Sequence, residues 1–383
     1  MRIGIDMQAT LGPMTGIGVY AAGVWQALRA HCREHEFVPL QWGSSYRWPL
    51  PAELFREQML LPLSAIGQHL DVVHATGFPG PAWGAARTVM TVHDLSVLDR
   101  PELMPSPASR WYWSQWLAWA ARRADVLITP STFTADRVMS RLGVPARSIV
   151  TLPYPPRTVF TRASRAEQIA LCSYLNINTP FCLGVGALEP RKDWEGVLAA
   201  FARVAQRTPH RLVLAGPVNV PASRERLQLC IRRLGLEQRV QCLGYVPLHW
   251  LPVLYSAAEL LIFPETYAGY GLPVLEAMAC GTPVITYDNT ALPETAGDAA
   301  LLLQPPWSAD VLAEMMLQVL QNAELRAEMS RRGMARVQRL SWEETADCLA
   351  VIYSAAPKRR TTLQGKQDAP AGPRHRAAGA GKA

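Results

Sequence analysis

Strand-length apolar runs alternate with helix-length amphipathic stretches along this chain, and midway the alternation starts again. In the first half, residues 3–5, 71–74, 88–92 and 126–128 read as buried strands, with helix-like stretches such as 20–30 and 111–121 between them. From about residue 170 the series restarts with strands at 181–185, 211–215, 240–243, 260–263 and 283–286 and helices at 196–207, 224–234, 275–279 and 309–321. Strand, helix, strand at this spacing predicts parallel sheets covered on both faces, since parallel neighbours need a crossover long enough to hold a helix. Two such series, joined across the Pro- and Arg-rich segment 152–165, predict an α/β protein of two Rossmann-like halves, at 1–160 and 170–340. No repeat of solenoid period is present.

Composition fits that reading and removes others. At 49% hydrophobic and 18% charged, the 383 residues hold ample material for a large core, which excludes a wholly disordered chain. No stretch approaches the ~18 to 20 uncharged apolar residues of a spanning helix, and the start MRIGIDMQAT lacks a signal-peptide core. The seven cysteines are scattered without a CxxC pair, which argues against a disulfide framework or zinc site and for a reducing, cytoplasmic setting. The formal charge of +7 is concentrated in residues 357–383, which carry seven Lys/Arg and one Asp among Ala, Gly and Pro. That tail reads as disordered, and the near-neutral remainder gives no reason to expect a specific nucleic-acid partner.

In open parallel sheets, ligands sit beyond the strand C-termini, where loops enter helix N-termini. Three unusual segments fall there: Gly12 to Gly18 after the first strand, Gly184 to Lys192 after the first strand of the second half, and Gly269 to Glu276 after 260–263. Gly16 and Gly18 allow close backbone approach to a ligand at a helix start. The full GxGxxG pattern and its acidic partner are missing, so a dinucleotide site is poorly supported. Arg191 and Lys192 precede Asp193, a candidate helix cap, and two cations at the positive end of a helix are either a solvated basic turn or the holders of an anion such as a diphosphate. Pro273 suits a first helical turn. Glu276 either favours that helix terminus or accepts hydroxyls from a ribose. His93 ends a strand on the ligand side, able to donate to a sugar hydroxyl or to developing charge, whereas His74 more plausibly packs.

Trp111, Trp113, Trp116 and Trp119 share one predicted helix, and at 100° per residue they span an arc wider than a core stripe, so part of that aromatic surface should stay exposed. Together with the basic tail, this raises the expectation of peripheral contact with anionic membrane.

Taken together, the segments RIGIDMQATLGPMTGIGVY, TVHDLSVLDRPELMP, ARRADVLITPSTFTADRV, GVGALEPRKDWEGVLAAF, LVLAGP, VQCLGYVP and FPETYAGYGLPVLEAMACGTPVI resemble the retaining glycosyltransferases of the GT-B fold, family 4 type. GALEPRKDW and TGIGVY look most like the mannosyltransferases that build lipopolysaccharide or exopolysaccharide. The resemblance implies two Rossmann-like domains facing across a cleft: an acceptor-binding domain at 1–160 and a nucleotide-sugar-binding domain at 170–340. It also implies a helix at 341–356 crossing back to the first. It places the donor diphosphate at Arg191 and Lys192, the ribose at Glu276, and backbone contacts at Gly271, Leu272, Pro273 and Val274. Gly16 and Gly18 would close the site from the first domain, His93 would reach the transferred sugar, and the base would lie near Tyr245 and Val246. The implied donor is a nucleotide sugar such as GDP-mannose, the acceptor a saccharide or lipid-linked saccharide, with no metal cofactor. The implied place is the cytoplasm, peripheral to the inner face of the membrane.

One position departs from the pattern. The family usually carries Glu-x7-Glu, and the first Glu is here Ala268. A weakened enzyme, a divergent one and a nucleotide-sugar-binding protein without catalysis all accommodate that change; a 2-epimerase-like isomerase of the same fold is a separate alternative. Glu265 lies three residues upstream, in a different register.

Overall fold

Among the described residues, twelve strands form two six-stranded sheets in which every ladder between strands is parallel. The computed structural model describes residues 1–355 except 13–14, 46–48, 78, 85, 104–109, 190 and 218–220. The basic tail therefore lies outside the described residues. The first sheet contains β1 (Arg2–Asp6), β2 (Glu36–Leu40), β3 (Val72–Ala75), β4 (Arg87–Thr91), β5 (Val126–Thr129) and β6 (Ile149–Thr151), in the order β2-β1-β3-β4-β5-β6. The second contains β7 (Phe181–Val185), β8 (Arg211–Ala215), β9 (Val240–Gly244), β10 (Leu260–Phe263), β11 (Val284–Tyr287) and β12 (Ala300–Leu303), in the order β12-β11-β10-β7-β8-β9.

Central strands such as β4, β7 and β10 are buried along their whole length, as expected where helices cover both faces. These orders fix where a ligand can enter. The first sheet reverses direction between β1 and β3, the second between β7 and β10, and at each reversal the loops leave in opposite directions and open a crevice at the strand C-termini. Helices cover the sheets, and the longer ones carry recognisable starts: Thr15 caps Gly16–His31, Ser131 caps Thr132–Leu142, and Ser164 with Glu167 forms a capping box on Arg165–Tyr174.

The aromatic helix differs in one respect from a regular one. A π-helical turn over Tyr112–Trp116 breaks the 100° spacing. Trp111 is 66% exposed, while Tyr112 is buried through a hydrogen bond from its hydroxyl to Glu57 (2.7 Å). Trp116 and Trp119 pack on each other at 4.6 Å between ring centroids.

The final helix, Trp342–Ala355, packs on the first half. The Trp342 indole covers Gly23 and donates to the carbonyl of Pro156 (3.1 Å). Tyr353 bonds Nδ1 of His74 (2.7 Å), whose Nε2 bonds Thr91 (2.8 Å). His74 is thus a packed residue, and burial holds its pKa down at about 3, so it stays neutral. Among the described residues no helix is long and apolar enough to cross a membrane.

Candidate functional site

The loops that follow β7 and β10 meet at the reversal of the second sheet. Gly186, at φ 124°, turns the chain out of β7, and the Lys192 side chain runs back over it where a Cβ would intrude. A short antiparallel bridge joins Lys192 to Glu265, and Thr266 clamps the carbonyl of Arg191 through both its N–H (3.0 Å) and its hydroxyl (2.6 Å). The Lys192 ammonium contacts the Glu265 carboxylate and lies 4.3 Å from the centre of the Phe263 ring. Lys192 is only 5% exposed. Burial is the largest influence on it and moves its pKa below the usual lysine value, with Glu265 opposing and Arg191 reinforcing that shift. Arg191 is more open and lies near Glu189 (3.8 Å) and Glu265 (3.5 Å).

Asp193 caps the following helix, Trp194–Arg207, by accepting from the Gly196 N–H (2.9 Å), and it takes a second bond from Tyr287 (2.8 Å). A cavity of about 380 Å³ borders this region, lined among others by Glu189, Lys192, Trp194, Thr266 and Trp307.

Gly271, at φ 107°, opens the helix Leu272–Ala279 without a side-chain cap, and Pro273 occupies its first turn. Leu272 and Val274 turn inward, while Gly271 and Pro273 remain half-exposed. Glu276 does not cap this helix. It accepts from the Tyr255 hydroxyl (3.2 Å) and faces Arg157 at 4.0 Å. Burial outweighs both partners and raises the Glu276 carboxyl to about 7. Tyr245 is 69% exposed beside buried Val246.

The first half closes on the loop between Ala268 and Gly271. Gly269 packs against the carbonyl of His93, and its own carbonyl accepts from Ser131 (2.7 Å) and Thr134 (3.1 Å). Tyr270 and Tyr154 exchange hydrogen bonds between hydroxyl and main chain (2.7 and 3.1 Å). Tyr267 donates to Asp99 (2.8 Å), which Arg137 and Arg141 also hold. Glu294 accepts from the main-chain N–H and hydroxyl of Thr132 (2.8 and 2.6 Å), at the start of a helix of the opposite half.

His93 itself is pinned. Its Nε2 donates to the Thr76 carbonyl (2.7 Å), and burial lowers its pKa. A carbonyl only accepts, so the neutral ring carries its hydrogen on Nε2 and keeps a lone pair on Nδ1. The expected donor is therefore an acceptor at its remaining nitrogen. Gly16 begins its helix with no non-neighbouring atom of the described residues within 4 Å of where a Cβ would stand, and Gly18 is buried two residues on, its N–H toward Thr15. Nothing among the described residues requires Gly16 to lack a side chain. Among the described residues, no group of three or more His, Cys, Asp or Glu is arranged to hold a metal ion.

The structure thus gathers Arg191, Lys192 and Glu265 at one sheet reversal, Glu276 with Arg157 and Tyr255 at a second point, and His93 with Gly269 at the seam. Arg157, Tyr255, Asp99 and Glu294 were not foreseen. Only Arg157 carries a local signal, a cation within Pro-Tyr-Pro-Pro-Arg.

Two parallel sheets flanked by helices, facing across a cleft with glycine turns on both sides, define the GT-B class. Residues 174–336 match the family described as Glycosyl transferases group 1, and residues 18–155 match Glycosyltransferase Family 4. The O-antigen chain mannosyltransferase B of Escherichia coli is 32% identical over 364 residues, covering 86% of this chain and 93% of that protein. The chain belongs to the GT-B glycosyltransferases. In structure it is similar to sucrose-phosphate synthase from Thermosynechococcus elongatus (TM-score 0.73, 22% identity, 92% of this chain and 98% of that one). It is also similar to the Anabaena protein HepE, solved with UDP and glucose (TM-score 0.71, 19% identity, 92% and 99%).

Proposed function

We propose that this glycosyltransferase moves mannose from GDP-mannose, with retention of anomeric configuration, to a hydroxyl of a saccharide or lipid-linked saccharide in cell-surface polysaccharide synthesis. The observation that carries the choice of sugar is the likeness, over nearly the whole length of both chains, to a protein named as an O-antigen chain mannosyltransferase. In this reading the half at 1–160 binds acceptor and the half at 170–340 binds donor. Lys192 and Arg191 hold the diphosphate, the ribose hydroxyls bond Glu276, and the main chain at Gly271 and Leu272 faces phosphate or sugar, with Val274, whose N–H donates to the Gly271 carbonyl (2.9 Å), beside it. Pro273 contributes shape only. The base rests by Tyr245 and Val246. Gly16 and Gly18 leave room for the donor from the opposite side, and His93 accepts a sugar hydroxyl at Nδ1.

The chemistry asks for charge stabilisation. The C1–O bond to the diphosphate breaks with oxocarbenium character, and negative charge collects on the leaving oxygen. A buried cation already in place, Lys192, with Arg191 beside it, stabilises that charge without reorganisation. The acceptor hydroxyl then attacks from the same face, forming the new C1–O bond while the leaving phosphate takes its proton. Contacts across the seam would exclude water and align the acceptor. The protein would work in the cytoplasm, at the inner face of an anionic membrane, without a metal.

Calorimetric titration with GDP-mannose, UDP-glucose and ADP-glucose in the absence of added metal tests the donor. Saturable binding of GDP-mannose alone is expected; preference for either other donor would overturn that choice. Incubation of donor without acceptor separates transfer, which leaves the sugar intact, from epimerisation, which alters it.

A further inference from the structure

The fold treats the two oxygens of the Glu265 carboxylate differently. Oε2 takes the Lys192 ammonium. Oε1 is buried, in a residue only 2% exposed, and has no hydrogen-bond partner among the described residues. Arg191 Nε, at 3.5 Å, does not make a hydrogen bond to it. Buried polar atoms in native proteins are nearly always satisfied, so an anionic oxygen short of a donor calls for a specific explanation.

Location narrows the explanation. Glu265 stands two residues beyond β10, and Lys192 lies in the loop after β7. These are the neighbouring strands at which the second sheet reverses, the place where a parallel sheet offers its ligand crevice. A carboxylate there repels phosphate, so the missing partner is a neutral hydrogen donor, and a nucleotide sugar brings several as hydroxyls. Three residues further on, Ala268 is 8% exposed with its N–H committed to Thr290 (3.1 Å), and its methyl group can accept nothing.

We infer that Glu265 is a sugar-contacting carboxylate of the donor site, with Oε1 accepting a hydroxyl of the transferred hexose while Oε2 orients the Lys192 ammonium. The carboxylate that the resembling family carries at the position of Ala268 has in effect been moved back along the same loop. This inference rests on the nucleotide-sugar reading above.

Glu265→Gln separates the sugar from the nucleotide. GDP, which has no sugar, should bind at least as tightly as to the parent protein, because Lys192 is no longer shared with a carboxylate. The kcat/KM for transfer from GDP-mannose should fall about 10- to 100-fold, the loss expected for one hydrogen bond to a charged group. Carrying the carboxylate to the other position, with Glu265→Ser and Ala268→Glu together, should recover part of that loss. Unchanged kcat/KM overturns the inference. So does an equal loss of GDP and GDP-mannose affinity, which would mean that Glu265 only props Lys192. Should Glu265→Gln not fold, the unaltered enzyme is assayed with donors each lacking one sugar hydroxyl. One of them should lose about 10- to 100-fold, and equal turnover of all of them overturns the contact. Failure of the unaltered protein to bind any of GDP, GDP-mannose, UDP-glucose or ADP-glucose would instead sink the donor reading itself, and this inference with it.

Discussion

Gly269 in the second half lies against the main-chain carbonyl of His93 in the first, with no room between them for even a methyl group. Closure of the two halves therefore depends on an absent side chain. Gly269→Ala should hold the seam apart and misalign donor and acceptor, lowering kcat about 100-fold. GDP affinity should persist, because the proposed nucleotide contacts belong to the second half. Steady-state kinetics beside calorimetry with GDP would show the split; equal kcat in the variant would mean that this contact does not form during turnover.

Lys192 is the most deeply buried cation at the proposed diphosphate site, and its value lies in charge already in place. Lys192→Ala should reduce kcat by about 10²- to 10³-fold, as for loss of one preorganised charge-stabilising group. Acceptor KM should change little. A variant with unaltered kcat would remove Lys192 from the leaving-group role.

On the proposed ribose contact, Glu276 should make donor binding sensitive to pH in a defined direction. Its carboxyl is raised to about 7, mainly by burial, and only the ionised form accepts from two ribose hydroxyls at once. Below about pH 7 the unliganded protein holds a proton that donor binding must expel. Affinity should then fall by about tenfold per pH unit, and above that range it should level off. Glu276→Gln should bind donor about 10- to 100-fold more weakly, with that pH dependence lost. Titration calorimetry at several pH values distinguishes this from a flat wild-type profile, which would take Glu276 off the ribose.

Gly16 offers a test free of folding effects. Among the described residues an added methyl meets no non-neighbouring atom, and alanine favours helix, so Gly16→Ala should leave thermal stability equal or raise it by up to about 0.5 kcal/mol. Donor turnover should nonetheless drop about tenfold, or about 1.4 kcal/mol. A variant as active as the parent would mean that the donor does not approach this turn.

How much of this was readable from residue order varies with distance along the chain. Central strands such as β7 and β10 announce themselves as apolar runs, because both faces are buried. β2, β6 and β12 were not foreseen, and all three are sheet edges, exposed or half-buried along most of their length. Asp193 and Pro273 fell where helix-start chemistry put them, since capping is local. The role of His74 depends on Tyr353, 279 residues away, and the pairing of Lys192 with Glu265 spans 73. Neither has a signal in its own neighbourhood. Strand order, which turns two distant loops into one crevice, is likewise a property of the assembled sheet.

The chain passes between its halves twice, once through residues 152–164 and once just before Trp342, and the Trp342 indole ties the second passage to Pro156 in the first. Two passages fastened at one point act as a door with a single pin. Any swing of one half against the other must turn about that pin or break it, so loading the donor and admitting the acceptor become two phases of the same rotation.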